Sequence, residues 1–64
     1  MKELTKSIEM AEAIKSVLRA RNLSKAQFAE LMGEDLSVVR EWLSGTYRFN
    51  LPILFRISER LNLL

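Results

Sequence analysis

Residues 23–45, LSKAQFAELMGEDLSVVREWLSG, decide the fold. Gly33 divides them into two short stretches with helical periodicity. The first opens at Ser24, a good N-cap, with Gln27 three residues on; together they spell a capping box. Leu23 before the cap and Phe28 after it are spaced as a hydrophobic staple. Phe28, Ala29, Leu31 and Met32 fall on one helical arc, with Ala26, Gln27 and Glu30 opposite. Gly33 supplies the left-handed residue that ends such a helix. Ala29, four residues earlier, is small, and a larger side chain there would push two packed helices apart.

The second stretch is expected to start from Asp35 as N-cap and run to about Ser44, with Gly45 closing it as a C′ glycine. Val38, Val39, Trp42, Leu43 and, at the margin, Leu36 occupy its apolar side. Ser37, Arg40, Glu41 and Ser44 occupy the other. A helix that only filled a core would not need that polar strip. Two short helices joined by a tight turn can present the second of them to the major groove of DNA.

Outward from this pair, residues from about Thr5 to Arg21 read as a further helix. Leu4, Ile8, Met10, Ala11, Ile14, Val17 and Leu18 gather on one broad arc, while Glu9, Glu12, Ser16 and Arg19 face away. Glu12 and Lys15 are spaced for an ion pair, and Asn22 is a stop. Downstream, Thr46 to Phe49 form a loop. Asn50 is the next N-cap, with Phe49 and Leu54 as a second staple and Pro52 in the first turn. Ile53, Leu54, Ile57 and Leu61 give that helix its apolar face. Phe28, Met32, Trp42, Phe55 and Ile57 are expected in the core rather than around a ligand. Leu63 and Leu64 are expected to be exposed, as a truncation scar or a partner contact. The expectation is one all-α domain over residues 1–64, a helix-turn-helix at 24–44 and a recognition helix at about 36–44.

Composition narrows the function. Sixty-four residues allow a modest core and little room for a deep cleft. The hydrophobic content of 48% suits a folded domain. With no cysteine and no histidine, the chain lacks thiolate and imidazole ligands and the commonest general base. Glu30, Glu34, Asp35 and Glu41 are scattered over two helices and a turn, so no catalytic constellation emerges and no cofactor or metal is implied. No apolar run approaches the ~18 residues of a membrane span, and MKELTKSIEM lacks the apolar heart of a signal peptide. A cytoplasmic protein with no membrane and no small-molecule partner is the expectation. Net charge is +2. Between Arg21 and Arg48, four bases (Arg21, Lys25, Arg40, Arg48) balance four acids, which predicts weak non-specific DNA affinity and reliance on a few placed contacts.

Leu23, Ser24, Phe28, Ala29, Gly33, Val39, Trp42, Ser44 and Gly45, followed by Asn50-Leu51 and then Leu54, Ile57 and Leu61, resemble the lambda-repressor-like, Cro-type helix-turn-helix family, often called XRE. The resemblance covers residues 7 to 63. It implies a compact four-helix domain lacking the family's frequent fifth helix, and binding to double-stranded DNA as a transcriptional repressor or regulator. It further implies a homodimer on near-palindromic sites or a monomer, encoded by a bacterium or phage. Arg40 projects from the middle of the polar strip and can grip guanine O6 and N7. Ser37 can bond a base edge, Glu41 can accept from cytosine N4, and Leu36 stands at a family contact position. Ser24 and Lys25 sit at a helix N-terminus that attracts phosphate. Ser44, Thr46, Tyr47 and Arg48 match the family's second backbone clamp. Glu34 departs from the family, which has an apolar residue after the turn glycine, and Glu41 stands where Gln or Lys is common. The near-neutral segment also fits a protein–protein interaction module on the same fold. The clean capping also suits a DNA binder engineered on a natural scaffold.

Overall fold

The computed structural model describes residues 2–63, with side chains from Ser7 to Leu63. Four helices follow one another: α1 over Lys2–Ala20, α2 over Lys25–Met32, α3 over Leu36–Trp42 and α4 over Leu51–Arg60. No strand occurs among the described residues. The all-α, four-helix expectation holds.

The caps explain where the helices begin. The Ser24 hydroxyl accepts from the Gln27 amide at 3.0 Å, and the Gln27 side chain accepts from the Ser24 amide at 2.8 Å. This reciprocal box satisfies two donors that the first turn of α2 leaves without partners. At α4 the Asn50 side-chain oxygen accepts from the Ile53 amide at 3.0 Å, and Pro52 lies in the first turn, where its missing N–H costs nothing.

Three helices end alike. Asn22, Gly33 and Asn62 adopt left-handed backbone, with φ of 57°, 72° and 58°. After each, the next amide reaches five residues back: Leu23 to the Leu18 carbonyl, Glu34 to Ala29 and Leu63 to Ser58, at 2.8–2.9 Å. These Schellman closures satisfy the last carbonyls and turn the chain sharply.

The core draws on all four helices. Phe28 and Val39 are fully buried, and Ile14, Leu18, Ala29, Met32, Trp42, Leu43, Ile57 and Leu61 pack with them. Burying a side chain such as Phe28 is worth about 1.5–3 kcal/mol, so a few such residues hold a domain of this size. An aromatic ladder runs through the core from Phe28 to Trp42, Tyr47 and Phe49.

The structure corrects several expectations. The helix α1 begins at Lys2, not near Thr5, and ends at Ala20. Ile8 and Met10 are exposed, because the buried line Ser7, Ala11, Ile14 and Leu18 puts both at the edge of the arc at about 100° per residue. Leu31 is exposed for the same reason: the buried centre of α2 lies between Phe28, Ala29 and Met32. Phe55 is 56% exposed rather than in the core. It stands two residues from Ile57, hence on the opposite side of α4, where it lines a shallow apolar groove with Leu51, Pro52, Leu54 and Ser58. The Leu4 side chain and Leu64 lie outside the described residues; Leu63 is half-exposed.

Candidate nucleic-acid interface

The helix α3 stops at Trp42, two residues short of the expected end at Ser44. Ser44 itself ends it: its hydroxyl donates to the Glu41 carbonyl at 2.8 Å and lies 3.0 Å from the Thr46 hydroxyl. Gly45, at φ 92°, falls in the following bend, two residues past the C-cap Leu43, and is therefore not the C′ glycine expected. Asp35 is the N-cap in backbone geometry, but its side chain makes no capping hydrogen bond. Seven residues with one uncapped end would not persist alone. The buried Val39 and Trp42, with Leu43 just beyond, hold α3 in place.

That burial fixes what faces outward. Ser37, Arg40 and Glu41 are exposed on one strip, and the exposed Ser44 continues it. Leu36 is half-buried at its edge. Among the described residues no ion pair or hydrogen bond reaches the Arg40 guanidinium, so it is not tied to Glu41 or another acid. The strip thus offers a forked donor, a hydroxyl and a carboxylate, the inventory that matches base edges in a major groove.

Two groups flank the strip. Lys25 is the first residue of α2, exposed beside the amides that the capping box leaves at the helix N-terminus. Beyond α3, Thr46 and Arg48 are exposed. Tyr47 is half-buried, its ring 6.4 Å from Trp42 and 5.0 Å from Phe49 between centroids. Its body therefore anchors the loop to the core. Ser44 and Thr46 bond each other, so their hydroxyls hold the loop as well as facing solvent.

Two arginines have roles that the sequence did not reveal. Arg21 donates to the carbonyl of Leu61, at the end of α4. Arg56, on α4, donates to the Met32 carbonyl at 3.0 Å and lies 3.5 Å from the Glu34 carboxylate. Both put a cation at a helix C-terminus, where the dipole favours it. The partners are 40 and 24 residues away, beyond any local pattern. The one hint was Glu34 itself, an acid where the family places an apolar residue. Arg56 lies beyond the Arg21–Arg48 segment, whose four bases balance four acids, and brings a further cation beside Glu34.

A family model described as Helix-turn-helix matches residues 14–63. No curated protein matches the chain, and no solved structure does. The matched span takes in the capping box, the Gly33 turn, the α3 strip and all of α4. The chain belongs to the XRE family of DNA-binding helix-turn-helix domains, the lambda-repressor and Cro-like group.

Proposed function

We propose that this domain binds double-stranded DNA sequence-specifically, with α3 in the major groove, and acts as a transcriptional repressor. Arg40, Ser37, Glu41 and Leu36 read base edges, Arg40 by a bidentate bond to guanine. Lys25 and Ser24 on one side, and Ser44, Thr46, Tyr47 and Arg48 on the other, hold the backbone phosphates. The observation that carries this reading is the division of α3. One side is sealed by Val39 and Trp42, while the side bearing Ser37, Arg40 and Glu41 is exposed with Arg40 free of acidic partners among the described residues.

The modest charge favours recognition by a few contacts over strong non-specific adhesion. The test is selection from random duplexes, with a variant whose α3 strip is scrambled as the control. Enrichment of one motif by the native chain alone supports the reading; no enrichment overturns it. A second reading, a protein-interaction module, is favoured by Glu41 on the strip and by the apolar groove at Leu51 and Phe55. It predicts no salt-dependent duplex binding.

A further inference from the structure

We infer that Arg56, which sits outside the DNA-facing strip, is a positioning residue that sets the direction in which α3 leaves the turn. The inference rests on the DNA reading above for its functional meaning. Its structural content stands apart from that reading.

The turn joining α2 to α3 consists of Gly33, Glu34 and Asp35. The Arg56 guanidinium spans the start of it: Nη2 donates to the carbonyl of Met32, the last residue of α2, and Nη1 faces Glu34 Oε2. A guanidinium is planar, with donors at fixed angles, so it serves both acceptors only while they keep one relative position. The Schellman closure at Gly33 and Glu34 fixes how the chain leaves α2, but the entry into α3 has no side-chain lock of its own. The Asp35 side chain does not cap α3, and the burial of Val39 and Trp42 fixes which side of α3 faces the core but leaves a pivot about that contact. Arg40 is five residues from Asp35, roughly 7 Å along the axis. A tilt of about 10° at the turn moves it by roughly 1 Å, enough to spoil a bidentate bond whose strength falls steeply with angle.

Energetics separates this role from plain stabilisation. The Arg56 and Glu34 side chains are 44% and 30% exposed. An ion pair this wet contributes little to folding, so its loss should leave the domain folded. Its consequence is geometric and local. Glu34 also ceases to be an unexplained acid near phosphates, because a cation holds it back toward α4.

The experiment uses the whole chain with Arg56→Met, which keeps the stem, and Arg56→Lys, which keeps the charge without the fork. Amide hydrogen exchange is the first readout. The Val38 and Val39 amides, which bond to the Asp35 carbonyl, should exchange about tenfold faster in Arg56→Met, with α1 unchanged. Duplex binding is the second. Preference for the selected site over a scrambled one should fall about threefold to tenfold, with an unchanged salt slope, and Arg56→Lys should restore only part. Arg40→Ala should cost less in the Arg56→Met background than in the native chain, a coupling between residues that do not touch. Exchange that is unchanged, or uniformly faster in all four helices, overturns the inference, as does additivity with Arg40→Ala. A flatter salt slope would make Arg56 a phosphate contact instead. If the native chain selects no duplex, the DNA reading fails, and exchange alone decides whether Arg56 orients α3.

Discussion

Trp42 meets Phe28 edge to face across the junction of α3 and α2, with ring centroids 6.2 Å apart and planes at 65°. This contact joins the helix that faces outward to the helix that supports it. Trp42 is 3% exposed, and truncating a buried aromatic costs about 3–5 kcal/mol. A domain this small has little more than that to lose. Trp42→Ala should therefore unfold the chain, read by circular dichroism. A folded Trp42→Ala protein with lost binding would place the indole in the interface.

Phe55 should behave in the opposite way. It lies on the outer side of α4, more than half exposed. Phe55→Gln should change stability by no more than about 0.5 kcal/mol, as surface substitutions do. Urea titration of the two proteins measures it. A loss of several kcal/mol would mean that the groove is covered in solution.

Arg40→Ala should weaken binding to the best site by about 1–3 kcal/mol and relax preference at one position, a G·C pair. The basis is its exposed place at mid-strip with no acidic partner among the described residues. Repeating the duplex selection with the variant tests it. An unchanged motif removes Arg40 from the readers.

Lys25→Ala and Arg48→Ala should weaken binding about equally on every sequence. Each should flatten the plot of log K against log salt by roughly one unit. Both side chains are exposed, one at the start of α2 and one beyond α3. A loss confined to one duplex sequence, or an unaltered slope, would take that residue out of the phosphate set.

Glu41→Gln separates the two readings of the α3 strip. In a major groove, an exposed carboxylate is repelled by phosphates unless it reaches a cytosine amine. The amide should raise general duplex affinity and lower selectivity at one C·G position. Fluorescence anisotropy at low and physiological salt, with selected and scrambled duplexes, measures both. If neither protein binds any duplex, the DNA reading fails and the interaction-module reading takes its place as the one to test.

What was legible in the sequence was whatever short-range chemistry specifies. Ser24 with Gln27, Asn50 with Pro52, the stop at Asn22 and the left-handed Gly33 each announce themselves within a few residues, and all four behave as read, with Asn22 stopping α1 through left-handed backbone of its own. The Glu12–Lys15 pair forms at 3.6 Å. Errors came where an apolar residue stood beside the buried line rather than on it. Ile8, Met10, Leu31 and Phe55 are hydrophobic by type, but their angular position decides their exposure. At the end of α3, Gly45 reads as a stop, but the Ser44 hydroxyl closes the helix before it. Arg21 and Arg56 were illegible in their roles because each acts on a carbonyl that only the folded chain brings near. Ser37, Arg40 and Glu41 on α3 are legible as exposed, since a short helix with Val39 and Trp42 inward has few other ways to turn, whereas Ser44 lies beyond the helix rather than on it.

Buried and exposed positions interleave along α3: Val39 and Trp42 face inward, and Ser37, Arg40 and Glu41 face outward. The inward set carries the packing, while the outward set makes no contact that the packing needs. Ser37, Arg40 and Glu41 can accordingly be exchanged while the packing that holds the scaffold stays intact. A library randomised at those three positions should consist overwhelmingly of folded members, so its diversity would be diversity of surface on an unchanged scaffold.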